Sequence, residues 1–182
     1  MNLKRWLQKQ LTNAGGGIGG GALVAHTTLI ARKKELGKDG QYHYTEERRM
    51  VRYKVITDDF CEDIVDNLIS EVSAFGDYKY HHSGTGVGAE AAADAGLGTP
   101  VEDNRNIGTQ VEDSSKVYKS IATTTYGSSW AITEHGLFNA AGSGGPPVTG
   151  GILMDRTKFS AINVVSTNQI EFTFTLAFTS GG

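Results

Sequence analysis

Residues 155–182 read DRTKFSAINVVSTNQIEFTFTLAFTSGG. Within this stretch Ile170, Phe172, Phe174, Leu176 and Phe178 alternate with Glu171, Thr173, Thr175 and Ala177. Successive side chains of a strand point to opposite faces, so this period of two puts five large apolar groups on one side. Such a face needs a second layer to cover it. The chain is therefore expected to be mainly β and antiparallel.

The bulk composition agrees. A chain of 182 residues fits one domain, or one domain with an extension. Hydrophobic residues make up 38% and there are 24 glycines, which points to a compact β core carrying long Gly-rich loops. The net charge is −3, without the basic excess of nucleic-acid binders, so no nucleic acid partner is expected. Cys61 is the single cysteine, which excludes an internal disulfide and any multi-Cys metal site. No apolar run is long enough to span a bilayer. Gln8, Lys9 and Gln10 interrupt any apolar core of a signal peptide, so synthesis and assembly in a cytosol are expected.

Residues 1–11, MNLKRWLQKQL, have Leu3, Trp6, Leu7 and Leu11 at helical spacing on one face, with Lys4, Arg5, Gln8 and Lys9 on the other. A helix this short is marginal alone in water and needs a surface to lie on. The Gly-rich run 14–21 follows as a tether, so residues 1–21 read as an anchor and arm. Leu3, Trp6, Leu7 and Leu11 are its candidate partner-binding residues. Residues 22–30 and 49–56 read as strands, and 32–40 as a charged turn. Residues 58–70 form the best helical pattern, with Asp58 or Asp59 as cap and Phe60, Cys61, Ile64, Val65 and Leu68 on its apolar side. Residues 78–82 read as a short strand, 83–106 as a long loop, and 107–112, 116–126, 129–134, 159–165 and 169–178 as strands. Residues 139–151, NAAGSGGPPVTGG, are a loop by composition.

Several motifs invite a chemical reading. GTGVGA at residues 84–89 matches the dinucleotide fingerprint formally. The preceding DYKYHHS is too polar for a buried parallel strand, and no βαβ pattern follows, so a loop is expected. His81, His82 and His135 are possible metal ligands, but adjacent histidines on a strand face opposite ways, and no metal site is expected. Asp58, Asp59, Glu62, Asp63 and Asp66 lack EF-hand spacing and read as a solvated helix face. Cys61 reads as a small buried apolar group. No local signature unites a Ser, His and acid into a triad, so no catalytic residues, no cofactor and no enzyme are expected. Tyr42, Tyr44, Tyr78 and Tyr80 would be the aromatic platform of a carbohydrate-binding module. WAITEHGLF, residues 130–138, reads as a strand followed by a corner at Gly136.

From Tyr78 onward the order of motifs resembles a family of tailed-bacteriophage structural proteins. The pieces are YKYHHSGTG, TPVED, NIGTQVED, VYKSIATTTY, WAITEHGLF, ILMDRTKFSAINV and EFTFTLAFTSGG. The resemblance implies an antiparallel β-sandwich or jelly-roll-like domain, often assembled as a homotrimer; the residue patterns add one short α-helix and an extended N-terminal arm. With the residue patterns, the chain is expected to divide into an arm (1–21), a small α+β segment packing on the core (22–77) and a virion-type β domain (78–182). The implied function is a non-enzymatic virion structural protein; the short chain without fibrous or coiled-coil repeats or a low-complexity receptor tip, and the anchor-and-tether N-terminus, favour a capsid decoration, or cement, protein. It would be assembled in the host cytoplasm and sit on the surface of the phage particle, bracing major capsid subunits. A tail-fibre or tail-adaptor component is the alternative. Residues 1–77 carry no resemblance.

Overall fold

The computed structural model describes residues 23–52, 56–68, 77–101 and 104–180. Leu3, Trp6, Leu7 and Leu11 lie outside the described residues. The elements run β1 (Leu23–Leu36), β2 (Tyr42–Arg52), α1 (Asp58–Leu68), β3 (Tyr80–Gly84), β4 (Asn106–Ile107), β5 (Thr109–Ser114), β6 (Val117–Thr125), β7 (Trp130–Phe138), β8 (Leu153–Val164) and β9 (Gln169–Ser180). They form a five-stranded sheet, β2-β1-β9-β6-β5, and a four-stranded sheet, β4-β3-β7-β8. All strand pairs are antiparallel. The two sheets pack face to face as a β-sandwich.

β9 is the middle strand of the larger sheet, between β1 and β6. Its alternating pattern works as the sequence demands. Ile170, Phe172 and Phe174 are fully buried, and Leu176 nearly so. They share one core with Leu29 of β1, Ile132 and Leu137 of β7, and Phe159 and Ile162 of β8. Phe178, at the end of the sandwich, is only half-buried. The opposite face of β9 carries Glu171, Thr173 and Thr175 toward the outside.

β1 does not stop at a charged turn after residue 30. It runs to Leu36, and its charged side chains find partners on neighbouring strands. Arg32 Nε donates to Glu47 (2.7 Å) and Lys34 Nζ to Glu171 (2.6 Å). Arg32 and Glu47 stay exposed on the open face of the sheet, and the more buried Lys34 and Glu171 offset their desolvation by pairing, so strand pairing accommodates these charges. The turn is confined to residues 37–41, where Gly40 takes φ +74°. β2 accordingly begins at Tyr42, before the expected 49, and is described as far as Arg52; residues 53–55 of the expected strand lie outside the described residues. β1 and β2 are thus integral strands of the five-stranded sheet.

α1 is capped by Thr57 rather than by either aspartate. Phe60 N–H donates to Thr57 Oγ1 (3.3 Å), while that hydroxyl donates to the carbonyl of Leu153. The helix buries Phe60 edge-on against Tyr78, with ring centroids 5.0 Å apart. Cys61 is exposed, not buried, as are Val65 and Leu68. The cap sets this rotation. Tying Thr57 to β8 turns Phe60 and Asp63 inward, and Cys61, about 100° round the helix from Phe60 and about 160° from Asp63, faces out.

β8 is an edge strand, and its open side is covered in two places. Thr57 N–H donates to Met154 O (3.0 Å), and Ile56 bridges Asp155. Farther along, the register with β7 jumps from Glu134↔Lys158 to Ile132↔Ile162, leaving a bulge. Arg48 from β2 reaches over it, donating to Ser160 Oγ (2.7 Å) and Ala161 O (3.3 Å). Bulges and bonded side chains blunt an edge against further pairing.

Replacing Phe172 by alanine empties the middle of the sandwich and is expected to cost about 3–5 kcal/mol. Thr173→Ala, on the outward face of the same strand, should stay within about 0.5 kcal/mol. Urea unfolding of the two variants measures both.

Candidate functional site

Both faces of β7 are buried from Glu134 to Phe138. One face looks into the sandwich. The other is roofed by the Gly-rich loop of residues 85–101, and a carboxylate sits at the centre of the bonds that hold the roof, beside others from Thr133, Arg156 and Lys158. Glu134 is fully buried. Its Oε1 accepts the backbone N–H groups of Gly86 (2.9 Å) and Thr99 (2.8 Å). Its Oε2 accepts Gly98 N–H (3.1 Å) and Arg156 Nε (2.8 Å). Arg156 continues outward, its Nη1 donating to Asp94 Oδ2 (2.9 Å) and Ala89 O (3.3 Å). Burial alone would raise the Glu134 pKa. The N–H of Thr99, the Arg156 guanidinium and the N–H of Gly98 outweigh it and hold the group below its ordinary value.

This arrangement explains GTGVGA without a nucleotide. A Cβ at Gly84 would lie 2.5 Å from Glu134 Oε1, and one at Gly86 would lie 2.6 Å from Glu134 Cδ. The glycines let the backbone close around the carboxylate. Residues 90–95 form turns, with no helix to receive a phosphate. Gly136 also has a different job from a strand corner, because β7 continues through it. A Cβ there would meet Leu97 Cδ2 at 2.9 Å, so its bare backbone makes room for the loop's apolar side chain.

On the inner face, His81 and His135 come together. His81 Nδ1 and His135 Nε2 share a hydrogen bond (2.9 Å), and His81 Nε2 pairs with Ser120 Oγ (2.7 Å). All three side chains are fully buried, and His135 lies against Phe172 with ring centroids 4.5 Å apart. His135 Nδ1 has no hydrogen-bond partner. We assign the proton between the rings to His135 Nε2, because an orphan lone pair costs less in the core than an orphan N–H. His81 then donates from Nε2 to Ser120. Burial pushes His81 down to about 3. Burial, with His81 and His82 nearby, depresses His135 as well. The group has the parts of a nucleophile and base, but Ser120 Oγ is sealed within the core and offers a substrate no approach.

His82 faces the other side of β3, near the Phe138 ring, as strand alternation requires. Among the described residues no group of three or more His, Cys, Asp or Glu is placed to hold a metal ion. Of the α1 acids, Asp58, Asp59 and Glu62 are exposed. Asp63 is an exception to the solvated face: it is buried and accepts the Tyr78 hydroxyl (2.6 Å). That bond takes Tyr78 out of any aromatic platform. Tyr42 and Tyr44 do share the exposed outer face of the five-stranded sheet. The Tyr44 hydroxyl donates to Glu171 (3.0 Å), with Lys34 Nζ 4.9 Å from its ring centroid.

Glu134 and Arg156 carry no motif of their own. Their one trace in the sequence is a pair of opposite charges inside strands otherwise destined for burial, WAITEHGLF and LMDRTKF. No family model matches the chain, and neither a curated protein nor a solved structure matches it.

Glu134→Ala strands three N–H groups and a buried guanidinium, and should cost about 3–5 kcal/mol. Limited proteolysis should then cut within residues 85–101 before the sandwich unfolds. The histidine pair sets a pH dependence. Its rings are neutral when folded but titrate near 6.5 when unfolded, so their stability is complete above about pH 6.5 and is lost as pH falls toward 3. At pH 5 the loss for His81 is about 2 kcal/mol, and His135 adds to it in the same direction. Glu134 adds a further loss below pH 4.5, as its lowered pKa is approached. Thermal melts from pH 7.5 to 4 should show the first decline well above the carboxylate range, and His135→Phe should flatten it.

Proposed function

We propose that this chain is a non-enzymatic structural protein of a tailed-phage particle. It binds the outside of the head as a decoration protein and braces neighbouring major capsid subunits, acting as a homotrimer. The observation that carries this reading is the ordered set of motifs from Tyr78 onward. In the fold those motifs serve construction. WAITEHGLF and LMDRTKF hold the loop roof, and EFTFTLAF fills the core. The polar clusters that looked chemical are consumed in holding the scaffold together, which supports a mechanical role.

The anchor for such a role is the face of Leu3, Trp6, Leu7 and Leu11. If it buries about 300 Å² on a capsid subunit, the gross gain is about 7 kcal/mol at about 25 cal/mol per Å², before ordering costs. Three linked copies multiply that through effective concentration. A glycan-binding role is the second reading, favoured by the shared exposure of Tyr42 and Tyr44.

Deleting residues 1–21 should leave a folded sandwich that no longer binds particles. Unchanged saturation of particles by the truncated protein would refute the anchor. Cryo-microscopy of particles with and without the protein separates head from tail placement. Saturable glycan binding that is lost in Tyr44→Ala, with no particle binding, would replace the virion reading.

A further inference from the structure

The outward face of the five-stranded sheet carries a trough of about 450 Å³, a size usual for a small-ligand site. Strand register fixes what lies in it. Ile30 of β1 pairs with Arg49 of β2 and with Thr173 of β9, and Thr173 pairs with Ile121 of β6. These four residues stand in one row across four strands, about 14 Å from end to end at about 4.8 Å per strand spacing. The next row holds Thr28, Thr175 and Lys119. Thr173 and Thr175 alternate with the buried Phe172, Phe174 and Leu176, so both rows face away from the core.

The floor has polar groups to spare. The hydroxyls of Thr28, Thr173 and Thr175 have no hydrogen-bond partner among the described residues, and all three side chains are only half-buried. Ile30 and Ile121 set methyl groups beside them. The walls are charged and mostly neutralised. Arg32 donates to Glu47 (2.7 Å), Lys119 to Asp113 (2.7 Å), and Lys34, at the Tyr44 end, to Glu171 (2.6 Å). Arg49 is exposed and has no carboxylate partner among the described residues. One uncompensated positive charge thus stands over a floor of open hydroxyls and methyl groups.

We propose that this trough binds an acidic oligosaccharide, with a sugar carboxylate on the Arg49 guanidinium, ring hydroxyls on Thr28, Thr173 and Thr175, and C–H faces on Ile30 and Ile121. The inference rests on the glycan-binding reading and names its ligand class. A guanidinium takes a carboxylate through two parallel N–H bonds. An apolar ligand fits the floor badly, because covering the three hydroxyls would strip them of water and return no bonds. A nucleic acid fits the walls badly, because its closely spaced phosphates call for several free cations. Tyr44, 57% exposed, stands beside Arg32 and extends the surface by one aromatic ring.

Calorimetric titration of the full-length protein tests this with galacturonate, hyaluronate and sialyl oligosaccharides, each beside its methyl ester, which keeps the sugar and removes the charge. At least one acid should bind saturably, about tenfold more tightly than its ester. That preference should fade as salt is raised. Arg49→Ala should bring the acid down to the ester, and Arg49→Lys should restore part of the difference. Thr175→Val keeps the shape, removes the hydroxyl and should weaken acid and ester alike several-fold. Both side chains point away from the core, so circular dichroism and melting temperature should match those of the parent, which separates lost binding from lost folding. Absence of saturable binding by every acid would overturn the proposal, as would an acid preference that survives in Arg49→Ala. Displacement of the acid by an equal concentration of acetate would also overturn it, leaving a bare anion site. A neutral glycan whose binding is lost in Tyr44→Ala but indifferent to Arg49 and Thr175 would sink this inference and leave the glycan-binding reading standing.

Discussion

A single buried carboxylate organises the four-stranded half of this protein. Glu134 accepts three backbone N–H groups and one guanidinium N–H, and three of those four donors are its only means of gripping a loop poor in apolar side chains. Bonds from Thr133, Arg156 and Lys158 reach the same loop, but Glu134 alone gathers three of its N–H groups at one point. A buried charge is tolerated only when it is fully hydrogen-bonded and paired. Here Arg156 supplies the pair, and the backbone supplies the remaining bonds. Arg105 closes the other end of the roof. Its guanidinium lies 3.5 Å from the centroid of the Phe138 ring, and Nη1 donates to Ala140 O (2.7 Å).

The two sides of β7 show how one strand serves two layers. Glu134, Gly136 and Phe138 address the loop, while His135 and Leu137 address the core. The core side tolerates polarity for a different reason. His81, His135 and Ser120 satisfy one another in a chain, so only one nitrogen is left without a bond. The outer roof is stabilised by charge and the inner network by neutrality. Acid therefore acts on both, first by charging the imidazoles and later by neutralising the carboxylate.

The larger sheet has a simpler logic. Its inner face is apolar, and its outer face carries threonines and ion pairs such as Lys34–Glu171 (2.6 Å). Its two edges differ. β2 is engaged through Arg48 with the bulge of β8, whereas β5 is exposed at every residue. Surfaces able to meet a partner are thus concentrated on the outer face of this sheet and at the β5–β6 end, away from the roofed side of the molecule.

Strand periodicity was legible wherever one face is buried and the other wet. Residues 170–178 announced their strand, their core face and the sandwich they require. Composition likewise marked residues 83–106 as loop. Local pattern was silent where a distant partner decides the outcome. Residues 32–36 look like a turn until Glu47 and Glu171 are brought alongside. Cys61 belongs to the apolar side of a helix until Thr57, bonded to Leu153, rotates that side outward. GTGVGA resembles a phosphate cradle until Glu134 occupies the space that its glycines leave. The sequence by itself determined the β architecture, because burial of a period-two face is a local property of the chain. The tertiary structure alone decided which charges would be buried and which glycines were needed. Pairing a carboxylate with an arginine 22 residues away, and with N–H groups 35 to 48 residues away, depends on strand register, which no local pattern encodes.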